Sequence, residues 1–245
     1  MQPITTPRDH PGAGDRLLLA MLAAFVALPL FVVVPGFADG RIAFVLYREP
    51  KLAAIGILGW LFLACFAARH AAALTPARLR SVLSQPVVLV LAAFLGYLAL
   101  TLAWVEVIPN HLYELRQLAL LGLVLVALLA WSRWERRVAR VVNAALIASL
   151  AVATLVGWFQ RWHPLPWLPP IDPQMGVTNP SFMGYKNPMA LALVGQIFLL
   201  ARWVLEPSGL GRGGRAGLSG LLVLELGYLA TLQSRTSWVA LGIGW

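Results

Sequence analysis

Two short polar islands carry residue types suited to holding an anion. Gly184-Tyr185-Lys186-Asn187-Pro188 sets an ammonium beside a helix-opening Asn-Pro pair, and Gln233-Ser234-Arg235-Thr236-Ser237 sets a guanidinium among hydroxyls. A guanidinium presents a planar fork of donors that fits a phosphate or diphosphate two bonds at a time. Lys186 brings a cation to the positive end of a following helix, where cations are disfavoured. Amides, dipole and ammonium aimed at one phosphate would resolve that misfit. The plainer reading makes Lys186 and Arg235 snorkelling anchors at a bilayer interface. Asn187, and Ser234 or Ser237, are then helix caps and nothing more.

Glu225 lies ten positions before Arg235, about 15 Å deeper if the chain between is helical. An acid at that depth in a membrane span is costly and is a functional candidate by default. Gln196 lies at a comparable depth, and a buried hydrogen bond locking the two spans together is the structural alternative. Arg116 can pair with Glu114 or join a phosphate site, while His111 and His163 read as loop residues and not general bases. No metal-ligand spacing, Walker loop or dinucleotide fingerprint is present, so neither a metal nor a cofactor is expected.

The elements that must position these residues are membrane helices. The chain has 245 residues, 60% of them hydrophobic and 12% charged, with mean hydropathy +0.77. Soluble domains carry about twice that charged fraction. Apolar runs recur at nearly the length needed to cross a hydrocarbon layer of about 30 Å, and they lack the period-two alternation of a barrel. The expected fold class is therefore all-α, a polytopic transmembrane helix bundle with about seven complete spans plus a truncated eighth. The spans read as Leu17–Val34, Leu52–Ala68, Val87–Val107, Leu115–Trp131, Val138–Phe159, Met189–Leu205 and Leu218–Leu232, with an eighth starting at Trp238. Pro29 should kink the first. Thr75-Pro76 should open a short amphipathic helix lying in the interface. The connector from Gln160 to Asn187 holds six prolines and should be extended. One helix out and one back returns both polar islands to the same face.

Charge sets the expected orientation. The net charge is +9, and in a soluble protein that excess would suggest nucleic acid. Here it sits in connectors, where the bilayer explains it and no nucleic acid is needed. Twelve of the 19 Lys and Arg residues fall in the amino-terminal tail and in, or within one helical turn of, the connectors after spans two, four and six. This predicts a cytoplasmic amino terminus, and the islands then face outward, toward the periplasm of a Gram-negative cell. Seven tryptophans (Trp104, Trp131, Trp134, Trp158, Trp162, Trp167 and Trp203) fall near span ends and read as an interfacial belt. Cys65, the only cysteine, cannot form an internal disulfide. Residues 1–16 read as a disordered tail, 17–175 as an amino-terminal bundle of five spans with the Pro-rich connector, and 176–245 as the start of a further domain. Eight apolar residues from Trp238 to Trp245 reach only about 12 Å, so the sequence reads as a fragment.

The order Gly184-Tyr185-Lys186-Asn187-Pro188-Met189-Ala190, an apolar span, a glycine-rich basic linker, a second span and Ser234-Arg235-Thr236 resembles the first half of the O-antigen ligase/polymerase superfamily domain. The likeness covers about Gly176–Trp245; upstream only the succession of spans agrees. It implies a metal-independent glycosyltransferase of the bacterial inner membrane, acting on the periplasmic face in O-antigen or related surface polysaccharide assembly. The implied partners are the lipid bilayer, an undecaprenyl-diphosphate-linked glycan donor, and a lipid A-core or other glycan or protein acceptor. Arg235 would match the family's arginine, and Lys186-Asn187 its basic-Asn pair, holding the donor diphosphate. The family's histidine-bearing periplasmic loop would lie beyond Trp245, so the chain alone is expected to be inactive. Two readings compete with this one: a transporter bundle with Glu225 as coupling carboxylate, and a non-catalytic remnant or assembly partner. The absence of a related internal repeat counts against the transporter.

Overall fold

The computed structural model describes residues 12–32, 43–104, 106, 108–163, 165, 168, 181, 186–205, 211–232 and 234–244. Among them there is no strand. The helices are α1 (Ala13–Phe31), α2 (Ala43–His70), α3 (Pro76–Leu83), α4 (Pro86–Thr101), α5 (Ile108–Ser132), α6 (Arg137–Trp162), α7 (Lys186–Leu205), α8 (Arg212–Leu232) and α9 (Arg235–Gly244), with one 3-10 turn at Ala71–Ala73. Six of them (α1, α2, α5, α6, α7 and α8) are long and apolar enough to cross a membrane. The chain is thus an all-helical membrane protein.

The third span departs from the sequence reading. α4 has 16 residues and stops at Thr101, short of Val107. It reaches spanning length only together with α3, from which it is bent by 74°. The cause is local: Gln85 precedes Pro86, and the proline ring excludes the helical region for the residue before it. Gln85 accordingly sits at φ −70°, ψ 139°, and α4 restarts with Pro86 in its first turn. Upstream, α3 opens as the sequence suggests, with Thr75 accepting from the Arg78 amide at 3.4 Å and Pro76 following.

Several connectors are shorter than the sequence reading gives them. α2 begins at Ala43 and carries Pro50 inside it; α5 takes in Pro109, Asn110 and His111; α8 takes in Arg212–Arg215. Residues 13–16, read as part of a disordered tail, form the first turn of α1. Once a span is helical, polar residues at its ends continue the ladder at little cost in the headgroup layer, where water can satisfy them. Residues 1–11, most of the Pro-rich connector and Trp167 lie outside the described residues.

The chain divides into two compact units, Met1–Phe25 with Ala54–Val142, and Val26–Ala53 with Asn143–Trp245. In the first, Gly59 brings α1, α2 and α5 together: a Cβ there would meet Phe25 at 3.1 Å and Leu120 at 3.2 Å. Phe62, Phe66, His70 and Trp131 form an aromatic cluster between α2 and α5. Trp131 is therefore a core residue and not part of an interfacial belt. Trp104 and Trp162 are instead 67% and 72% exposed. In the second unit, Leu150 and Ala153 of α6, Met189, Leu193 and Ile197 of α7, Tyr228, Leu229 and Leu232 of α8 and Leu241 of α9 share one core. Large apolar side chains such as Val90, Leu100, Leu155 and Val223 remain exposed, as the lipid-facing surface of a bundle requires.

Candidate functional site

The second unit positions both polar islands. α7 and α8 are joined by the short segment 206–211 and pack closely along their lengths. They form a helical hairpin, which returns the end of α8 to the start of α7. Lys186 is the first helical residue of α7 and Arg235 the first of α9. α9 in turn packs against α7, with Leu241 in the shared core. Two helix amino termini, each opened by a basic residue, therefore stand at one end of this unit. The free amides of a first turn and the positive end of the helix dipole suit such a place to an anion.

Arg235 is exposed, and it has no carboxylate partner among the described residues. The serines on either side of it are buried instead: Ser234 and Ser237 are 2% and 0% exposed, with their Oγ atoms 2.9 Å apart. That bond ties the residue before α9 to its first turn and leaves the arginine directed away from the packed face. Asn187 falls inside the first turn of α7 and is not the residue before it. The side chains of Lys186 and Asn187 lie outside the described residues.

α6 braces the hairpin. The Trp158 indole donates to the Leu224 carbonyl at 3.2 Å, and its ring lies 6.2 Å from that of Tyr228. Tyr228 is seated against Gly157, where any Cβ would overlap its ring and hydroxyl. Trp158 is thus a bridge between α6 and α8. Gln196 Nε2 donates to the Ile147 carbonyl of α6 at 3.1 Å, so its bond joins α7 to α6 and not to α8.

Glu225 shares the buried face of α8 with Tyr228, Leu229 and Leu232. It is 0% exposed, and neither carboxyl oxygen has a hydrogen-bond partner among the described residues. Arg116 belongs to the first unit; its guanidinium stacks over the Tyr113 ring at 5.1 Å. His111 bridges the Leu98 carbonyl at 2.7 Å and Thr101 Oγ1 at 2.8 Å, joining α5 to α4.

Two further residues had no signal in the residue pattern. Ser181 is buried at φ 53°, a left-handed conformation rare for a side-chain-bearing residue. Its amide donates to Gln160 Oε1 at 2.7 Å and its hydroxyl to the Ala153 carbonyl, which pins the connector to α6. Lys51 donates to the carbonyls of Leu30 and Val32 at 2.6 and 2.8 Å, with Pro29 at 3.4 Å. An ammonium there satisfies the carbonyls that a helix end leaves free.

No protein-family model matches the chain, and neither a curated protein nor a solved structure matches it.

Proposed function

We propose that the chain is a glycan ligase- or polymerase-type membrane protein that holds the diphosphate of a lipid-linked glycan donor at the end of its second unit. The observation that carries this reading is the pairing of two helix amino termini, those of α7 and α9, opened by Lys186 and Arg235. A diphosphate offers two anionic groups to two such ends, and Arg235 is exposed and unpaired among the described residues. The resemblance of the two polar islands to the O-antigen ligase superfamily supplies the class of donor, an undecaprenyl-diphosphate-linked glycan. The excess of arginine and lysine in alternate connectors supports an inner-membrane placement with this end facing the periplasm.

Binding is the direct test. The purified chain in detergent micelles is titrated with undecaprenyl diphosphate and, separately, with undecaprenol. Diphosphate-dependent binding is expected, and Arg235→Ala should weaken it at least tenfold, as loss of a charge-assisted bond of about 1.5–3 kcal/mol requires. Equal affinity for the two lipids, or unchanged binding in Arg235→Ala, would remove the site.

One observation favours a second reading. The buried carboxyl of Glu225, unpartnered among the described residues, is what a coupling acid in a transporter bundle would present. Solute uptake into proteoliposomes driven by a pH gradient and lost in Glu225→Gln would establish that reading over the first.

A further inference from the structure

One end of the first unit is assembled by contacts between segments far apart in sequence. Asp15 at the start of α1 pairs with Arg69 at 3.2 Å and lies 3.7 Å from His70, both at the end of α2. His70 packs against Trp131 of α5 and, edge to face, against Trp134 just beyond it, the ring centroids lying 5.6 and 5.9 Å away. Arg133, just beyond α5, reaches α3 with both terminal nitrogens, 2.9 Å to Ser81 Oγ and 3.1 Å to the Ser81 carbonyl. Arg78 of α3 lies over the Trp134 ring at 5.5 Å.

The acids at this corner are committed. Asp15 is paired with Arg69, and Glu135 accepts from the Arg137 amide at 3.0 Å, capping α6. Arg80, Arg136 and Arg140 are exposed and have no partner among the described residues. Arg136 lies two positions beyond the tryptophan on which Arg78 rests, and Arg140 follows one helical turn later. The corner therefore carries positive charge that no acid among the described residues neutralises.

α3 also exposes an apolar stripe. Leu79 and Leu83, one turn apart, are 38% and 44% exposed, while Val82 is buried. At about 100° per residue, Arg78 and Arg80 project to either side of that stripe. α3 is bent 74° from α4, so its apolar stripe and flanking arginines run across the α4 axis, the pattern of a helix lying in a bilayer interface. Its leucines then enter the acyl layer and its arginines lie at headgroup depth.

We propose that this corner is a binding site for an anionic phospholipid, the headgroup held by Arg78, Arg80 and Arg136 and an acyl chain lying on Leu79 and Leu83. Arg133 acts as the tether that keeps α3 against α5. A zwitterionic headgroup carries its own cation and offers no net charge to match the three guanidinium groups.

The test titrates the full chain in detergent micelles with phosphatidylglycerol and with phosphatidylcholine of the same acyl chains, reading retained lipid by native mass spectrometry. Phosphatidylglycerol should be retained in preference. The double substitution Arg80→Gln/Arg136→Gln should weaken it about thirtyfold, about fivefold for each charge, and leave phosphatidylcholine unchanged. Both arginines are exposed and unpaired among the described residues, so helix content by circular dichroism should stay at the wild-type value. Equal retention of the two lipids, or undiminished phosphatidylglycerol binding in the double variant, would overturn the proposal. Displacement of phosphatidylglycerol by inorganic phosphate would also overturn it, because the site would then be one for a free ion.

Discussion

Replacing Gly157 by alanine sets two physical effects against each other. In an unencumbered helix interior alanine is better than glycine by about 1 kcal/mol. At Gly157 the added Cβ would overlap the ring and hydroxyl of Tyr228, a residue that is fully buried and held from the side by Trp158. The overlap is with a rigid ring and not the tip of a flexible chain. The cost therefore belongs near the top of the range for overpacking, about 3 kcal/mol, and the net loss is about 2 kcal/mol. For a chain of this length that corresponds to a fall in the unfolding midpoint of about 4–8 °C. Thermal unfolding of the purified protein in detergent, followed by tryptophan fluorescence, measures it. In the double substitution Gly157→Ala/Tyr228→Leu the ring is gone, and the glycine change should then cost nothing or stabilise. The coupling between the two sites should accordingly exceed about 1 kcal/mol. Stability in Gly157→Ala equal to or above wild type would refute the contact between α6 and α8, and with it the brace that holds the hairpin.

Lys51→Met keeps the aliphatic stem but leaves the end of α1 without its donor; unfolding experiments should show a loss of about 1.5–3 kcal/mol, partly restored in Lys51→Arg. Glu225→Leu should raise thermal stability by about 1–3 kcal/mol, since the carboxyl it removes is buried without a partner; a loss of stability would show that the acid has a structural partner. Ser181→Ala should cost about 1 kcal/mol through the lost bond to Ala153. Ser181→Gly should recover part of it, because glycine adopts φ 53° without strain. Both are read from the same melting curves.

Much of the architecture was legible because lipid leaves few options. A run of apolar residues long enough to cross must be helical, since each backbone amide has to be satisfied within its own segment. The spans leading to α1, α2, α5, α6, α7 and α8 were found on that ground alone. Thr75-Pro76 marked the start of α3 for an equally local reason, a side-chain cap followed by a residue with no amide to satisfy. The end of α4 was not legible: Leu102–Trp104 are apolar and extend the hydropathy run, yet they form turns.

The candidate site divides in the same way. Its ingredients, Lys186 and Arg235 at helix starts and Glu225 within a span, follow from the order of residues along the chain. Their surroundings do not. Whether Gln196 bonds to α8 or to α6, whether Trp131 and Trp158 face lipid or core, and whether Glu225 has a partner all depend on which helix face meets which neighbour. In a bundle that is apolar on nearly every face, periodicity carries little information about that choice. Close packing makes it instead, through Tyr228 against Gly157 and Gly59 between Phe25 and Leu120. Sequence by itself determined that this protein is a set of membrane helices and where its cations lie along them. Only the tertiary structure decided which helices pair and which polar groups they leave unmatched, because helix formation in lipid is settled within each segment and packing is settled between them.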